Sequence, residues 1–242
     1  MAQIHRGTNT LMGKANRNLA AGVGCLVLVV VFFYMLFIER MVVTSWYFLL
    51  PIMAALLGSG YYVRRGIIFR FGARGETVGL AHALNLPDDY HVFTNLKICY
   101  QNYCQEADLI IVGIKGVYVV EVKNHNGKIV GDGEAAIWTQ HKIGRGGGRY
   151  SKEMPNPIKQ VRGQVYKLSK LFKENGINVW VDGIVLFTNE AVNVHINSNQ
   201  TGTPVLHPTK RLNQHILTHN NRQYLNKNLV SKVVEILNQV KD

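Results

Sequence analysis

The chain has 242 residues and carries 27 Lys and Arg against 15 Asp and Glu, a formal net charge of +12. That balance favours an anionic partner, either nucleic acid or the inner face of a membrane, and the length allows one or two structural units. The three cysteines, Cys25, Cys99 and Cys104, form neither a disulfide framework nor a paired CxxC zinc spacing, and the nine histidines include no HExxH-like pair. Reduced thiols in a cytosolic domain are therefore the expectation.

A basic tail, residues 1–18, precedes the apolar run "VGCLVLVVVFFYMLFI". Residues 19–38 carry no charge and match the ~20 residues a helix needs to cross ~30 Å of hydrocarbon. Glu39, Arg40 and Met41 follow, and residues 42–63 are again uncharged, with Pro51 inside the stretch and Gly58 and Gly60 near its end. Two transmembrane helices in a tight hairpin are predicted, both residue types being tolerated in such helices. Arg6, Lys14 and Arg17 stand before the first span, and Arg64, Arg65, Arg70 and Arg74 follow the second. The positive-inside rule then puts both termini and the soluble part in the cytoplasm, as a multi-pass protein of the inner (cytoplasmic) membrane. No A-x-A-like site follows the first run, which argues against a cleaved signal peptide.

A short basic linker, residues 64–71, leads into ordinary soluble sequence. Residues 76–86 have helical spacing and stop at Pro87. "HVFTNLKICY" and "ADLIIVGIKGVYVVEV" have strand composition, the second turning over residues 113–116, and "GKIVG" and "AAIWTQ" add short strands. A glycine-rich loop, "HKIGRGGGRYSKEMPNP", follows. Asn156 and Pro157 then cap and open a helix whose stripe is Ile158, Val161, Val165, Leu168 and Leu171. "NVWVDGIVLFTN" reads as a buried strand with "AVNVHI" beside it. Helices near 209–218 and 226–240 complete the chain, and Trp138 and Trp180 are assigned to the core. This is an α/β domain with a mixed central sheet flanked by helices, with its body in residues 72–190 and residues 191–242 completing it.

The strand "GVYVVEVK" raises the chemical question. Glu121 and Lys123 are two apart, so they project from the same face while Val120 and Val122 face the core. A meander through residues 113–116 would bring Asp108 beside the end that holds Glu121. Two carboxylates and a lysine converging on one point fit a hard divalent ion, since Mg²⁺ takes one or two carboxylates plus waters and phosphate oxygens. The lysine would then act on the attacking water or on developing phosphate charge. A cross-strand salt bridge at a sheet edge is the plainer explanation of "E-V-K" alone, and Asp108 at the right separation counts against it.

"FGARGE", "EADLIIVGIKGVYVVEVKNHNGKI", the following Trp138 and "NPIKQV" resemble the nuclease-related domain (NERD) family, within the PD-(D/E)XK nuclease superfamily. The likeness covers residues 71–187. It implies a restriction-endonuclease-like fold that hydrolyses nucleic-acid phosphodiesters with Mg²⁺ or Mn²⁺. By position it makes Asp108 and Glu121 metal ligands and Lys123 the catalytic lysine. It places Glu76 in the metal shell or holding a water, Gln160 facing the same site, and Glu106 orienting Asp108 or the loop. Ala107 stands where the superfamily's name has proline, a backbone position. Read from the residues alone, Glu76 could be a dipole-matching helix cap, and Gln160 a surface amide.

The glycine-rich loop is no Walker loop, because no GK[ST] follows it. Its cations Lys142, Arg145 and Arg149, with Lys159 on the next helix, could track a phosphate backbone or form a solvated basic surface. The sequence therefore reads as a membrane-anchored, metal-dependent nuclease. Its partners are nucleic acid, with DNA favoured, and the bilayer through two helices. The alternative is an inactive nuclease-fold module that binds nucleic acid or docks proteins at the membrane.

Overall fold

The computed structural model describes residues 1–7, 10–38, 49–144, 146–200, 202–208, 211–219 and 222–241. The chain divides into two units, Asn9–Ala73 and a second made of Met1–Thr8 with Arg74–Asp242.

The first unit holds helix α1 (Thr10–Ile38) and most of α2 (Leu49–Leu84). The two helices approach where side chains are small. A Cβ on Gly22 would come within 2.8 Å of Val63 Cγ2, and one on Gly66 within 3.2 Å of the Ala15 carbonyl. Low-numbered positions of α1 thus meet high-numbered positions of α2, which is antiparallel packing through small residues, as membrane helices use. Val27, Leu28, Val30, Phe33 and Phe37 point outward and are exposed. Among the described residues α1 is the one helix long and apolar enough to cross a bilayer. In α2 the described uncharged stretch runs only from Leu49 to Val63 before Arg64. The rest of the expected second span, residues 42–48, and the turn at residues 39–41 lie outside the described residues. The expected linker at 64–71 is instead helix interior, because no proline or cap interrupts residues 64–84.

The second unit is built on a mixed six-stranded sheet. Its strands are β1 (Gln3–Arg6), β2 (His91–Tyr100), β3 (Tyr103–Gly113), β4 (Gly116–Lys123), β8 (Val181–Phe187) and β10 (Val205–Leu206), in that spatial order. β2, β3 and β4 form an antiparallel meander, while β1, β8 and β10 join parallel. A four-stranded sheet, ordered β7-β6-β5-β9, holds β5 (Gly127–Gly131), β6 (Ile137–Ile143), β7 (Arg149–Pro155) and β9 (Val192–Ile196). Helix α3 (Pro157–Glu174) carries the chain from β7 to β8, and α4 (Leu212–Thr218) and α5 (Lys227–Lys241) follow. One core sets Ile158, Val161, Leu168 and Phe172 of α3, with Val233 and Leu237 of α5, against the sheet. The other sets Ala83 and Leu86 with Leu212 and Ile216 against its far side.

Asn156 caps α3 as the sequence indicates, its Oδ1 accepting from the Ile158 amide at 2.8 Å with Pro157 in the first turn. Trp138 is fully buried, but Trp180 is 45% exposed beneath the Arg222 guanidinium, so only one of the two belongs to the core. The glycine-rich segment is not a long loop. Residues 149–155 return as β7, paired with β6 through Ile143–Arg149. β9 pairs with β5 rather than β8. Cys99 and Cys104 face each other across the β2–β3 hairpin as a disulfide, where free thiols were expected; strand register brings them together and sequence spacing gives no sign of it.

The basic tail contains an unforeseen element: β1 adds a parallel strand to the edge of β2, with Gln3 N donating to Tyr90 O at 2.8 Å and Gly7 N to Thr94 O at 2.9 Å. Deleting residues 2–7 is expected to speed amide exchange along residues 91–94 while leaving β4 and β8 protected, because only the β2 edge loses its cover. Hydrogen-exchange mass spectrometry of both proteins checks this; unchanged protection at 91–94 would mean that β1 is not a stable strand.

Candidate active site

The site forms where the central meander opens. The β3–β4 ladder runs from Gly113–Gly116 to Leu109–Val120 and ends there, one step before Asp108 would face Glu121. The Val122 amide donates instead to the Asp108 side chain, at 2.7 Å from Oδ2. β4 keeps its other neighbour, pairing with β8 as far as Lys123–Phe187.

β2 is irregular at the same level. Its ladder to β3 has rungs at Thr94–Leu109 and Leu96–Ala107 but none at Asn95, whose φ is +51°. Asparagine is among the few side chains that enter this left-handed region readily. The twist lets Phe93, Leu96 and Ile98 all reach one core, although strict alternation would separate Phe93 from Leu96. Asn95 Nδ2 donates to Glu76 Oε2 at 2.9 Å, fixing the acid carried by the last turns of α2.

Glu121 is 6% exposed. Lys123 Nζ donates to its Oε1 at 2.6 Å, and Gln164 Nε2 to its Oε2 at 2.6 Å. The same Gln164 amide reaches the Glu106 carbonyl at 3.0 Å, tying α3 to β3 as well. Both oxygens of a buried carboxylate are thereby satisfied, as a charge removed from water requires.

Burial, followed by the charge of Glu121, pushes the Asp108 carboxyl well above its ordinary range; the Val122 N–H and Lys123 pull it back only in part. Burial also raises Glu76, against its Asn95 bond and with the charges of Glu106 and Glu121. Acids that repel one another in this way call for either a retained proton or a cation between them. Among the described residues no group of three or more His, Cys, Asp or Glu side chains stands ready to enclose an ion. Asp108 and Glu121 offer the hard oxygens that Mg²⁺ takes one or two of, completing its shell with water and phosphate.

The nuclease-related domain family matches residues 71–188, just under half of the chain. This segment is a nuclease-related domain. An uncharacterized protein of Bacillus anthracis is 41% identical to the chain over 56 residues, which make up 22% of this chain and 26% of that relative. The chain thus matches about a quarter of that relative's length. No solved structure matches it.

Within the nuclease-related domain, Lys123 bonds Glu121, Asp108 takes the Val122 amide, and Glu76 and Asp108 both feel the charge of Glu121. Glu76 is no helix cap, since α2 begins at Leu49 and passes straight through it. Gln160 does not supply the amide at the site: Gln164, one turn later, bonds Glu121, while Gln160 Oε1 is buried without a partner. "Q-V-R-G-Q" offers two glutamines one turn apart, and only the helix phase over the sheet decides between them. Asn95 also escaped notice, although a lone Asn inside a β-branched and aromatic run was a readable sign of a backbone break. Lys142 lies on β6 opposite Tyr150 and Arg149 on β7 opposite Ile143, so the two cations take opposite faces of the hairpin near its tip; Lys159 is exposed on α3, and Arg145 lies outside the described residues.

The raised carboxyls have a consequence for stability. In metal-free protein the folded state holds protons that the unfolded chain releases, so stability falls as pH rises from the ordinary carboxylate range through the raised folded pKa values. Above that window the whole penalty is present. Asp108→Asn keeps an oxygen for the Val122 amide but cannot ionise. It is expected to melt higher than the parent at neutral pH and about equally at the acid end, as followed by circular dichroism in a chelating buffer. A variant less stable than the parent at neutral pH would mean that its neighbours hold Asp108 ionised.

Proposed function

We propose that this protein is a membrane-anchored nuclease that uses Mg²⁺ or Mn²⁺ to hydrolyse nucleic-acid phosphodiesters, DNA being the favoured polymer, on the cytoplasmic side. The observation that carries the reading is the meeting of Asp108, Glu121 and Lys123 where the β3–β4 ladder opens, inside a nuclease-related domain. Asp108 and Glu121 would hold the ion. The ion would neutralise phosphate charge and lower the pKa of a bound water. Gln164 fixes the Glu121 carboxylate by its Oε2, and Asn95 fixes Glu76 where it can hold a water. Lys123 Nζ, which donates to Glu121 Oε1, would turn to the nucleophile or to a phosphate oxygen. Water oxygen would bond to phosphorus as the P–O bond to the leaving sugar breaks, the water giving up one proton to solvent and the leaving oxygen taking one up from solvent.

One observation favours an inactive module instead. Lys123 and Gln164 already occupy both oxygens of Glu121, a closed network that would also serve a purely structural role. Single-turnover cleavage of labelled DNA and RNA with Mg²⁺ or Mn²⁺ separates the two. Lys123→Met is expected to lower the turnover rate ~10²–10³-fold, the usual loss for one electrostatic donor, with nucleic-acid binding kept. Parent protein that cuts neither polymer, or a Met variant that cuts at the parent rate, would leave the inactive reading standing.

Chain connectivity supports a two-span anchor. β1 precedes α1 yet pairs with β2, which follows α2, so if α1 crosses a bilayer the chain must cross back before Arg74. The arginines on both flanks favour the cytoplasmic face. Reducing conditions there would open the Cys99–Cys104 bond. A reporter active only outside the membrane is expected to stay silent when fused after Asp242 and to be active when inserted between Glu39 and Met41. Activity of the C-terminal fusion, or a Cys99–Cys104 bond that stays closed in intact cells, would overturn the cytoplasmic placement.

A further inference from the structure

The β6–β7 hairpin carries cations and exposed apolar groups that the hydrolytic site does not use. Tyr150 lies opposite Lys142 in the ladder, and Lys152 opposite Gln140, so Lys142, Tyr150 and Lys152 share one face of the ribbon. Further down that face Trp138 and Met154 enter the core, so the same side runs from the core out to the tip. At the tip, a cavity of about 540 Å³ is lined by Lys142 and Tyr150 of this face and by Lys128, His141, Ile143, Arg149 and Ser151 of the opposite one, so it wraps the ribbon's edge. Its size lies within the ~300–1,000 Å³ of sites that hold small organic groups. Tyr150 is 52% exposed and Ile143 72%, an unusual allowance of apolar surface beside so many cations. Among the described residues no ion pair holds Lys142, Lys152 or Arg149.

This surface is continuous in charge with the hydrolytic site. His125, on the connection between β4 and β5, lies within the field of Lys123, Lys142 and Lys152. Burial first, and then those three ammonium groups, push its imidazole down to about 4, so it is uncharged at neutral pH. Lys142 and Lys152 are diagonal neighbours on one ribbon face, and His125 feels both of them together with Lys123. Successive phosphates of a polynucleotide match such a pair. Duplex nucleic acid shows base edges in its grooves but keeps the base faces stacked inside, so it offers no ring face to an exposed tyrosine. An exposed tyrosine beside the cations suits a strand whose bases are free to stack on it.

We propose, resting on the reading of this domain as a nuclease, that the β6–β7 tip is a subsite for single-stranded nucleic acid, with a base on the Tyr150 ring and the flanking phosphates on Lys142 and Lys152. The enzyme then takes single strands, or the unpaired ends of duplexes, and its hydrolytic site meets the backbone a few nucleotides from the stacked base.

The test is binding by the full chain in detergent micelles, in a chelating buffer so that no cleavage occurs. The probes are a fluorescein-labelled oligothymidine of about 12 nucleotides, within the ~4–16 that one single-strand groove covers, and a blunt duplex of equal length. Tyr150→Ala is expected to weaken oligothymidine binding about 5- to 150-fold, the effect of losing one base stack. Tyr150→Phe should restore it, and neither change should alter duplex affinity. Lys142→Gln with Lys152→Gln should flatten the slope of log K against log salt by roughly 1.4 for the single strand, 0.7 for each lost phosphate contact. Oligothymidine binding indifferent to Tyr150→Ala, equal losses on strand and duplex, or no binding of either probe would overturn the subsite. A parent that cleaves while Tyr150→Ala changes nothing removes the subsite and keeps the nuclease reading. Tyr150-dependent binding by a protein that never cleaves does the reverse.

Discussion

The hydrogen bond from the Val122 amide to the Asp108 carboxylate is the constraint on which the rest of the site depends. A strand in the middle of a sheet normally spends each amide on its neighbour's carbonyl. Here a side chain replaces one rung, so β3 and β4 separate without leaving a buried donor unsatisfied. Glu121 and Asp108 face the resulting gap, where neither could stand if the ladder continued.

Holding the gap open requires support from both sides of the sheet. Gln164 of α3 grips Glu121 and the β3 backbone together, while Asn95 breaks β2 at the same level and holds Glu76. The backbone irregularities therefore cluster at the acids, and the extended core around them absorbs their cost. Val117 and Val119 enter one core and Tyr118, Val120 and Val122 the other, so β4 is fixed by packing on both faces up to the residue before Lys123. A lysine at the end of so rigid a strand has its backbone set and its ammonium free to choose between Glu121 and a ligand.

The N-terminal segment links this domain to the helical unit in an unexpected way. Ala2 is buried in the same core as Leu86 and Leu206, and β1 closes the exposed edge of β2. Covering that edge removes a template for strand addition by other chains. It also returns the start of the chain to the domain that follows α2, which is why the anchor is proposed as a hairpin rather than a single crossing.

The sequence by itself determined the mixed α/β class, the nuclease-related domain and the placement of its charged residues along the central strand. The uncharged run of α1, the Asn-Pro start of α3 and the alternation of "GVYVVEVK" are local patterns, and local physics decides them: hydrocarbon length, capping and side-chain period. It also put Asp108 near Glu121 and Lys123, because a two-strand meander fixes register once its turn is known, whereas Glu76 on α2 is placed by its bond to Asn95 of β2. Only the tertiary structure chose Gln164 over Gln160, since the phase of α3 depends on how Val161 and Leu168 seat against the sheet. It alone turned the glycine-rich segment into a hairpin, joined Cys99 to Cys104, bound β1 to β2 and carried α2 unbroken to Leu84. Each of these rests on partners far away in the chain, and no pattern in the residues themselves records where those partners lie.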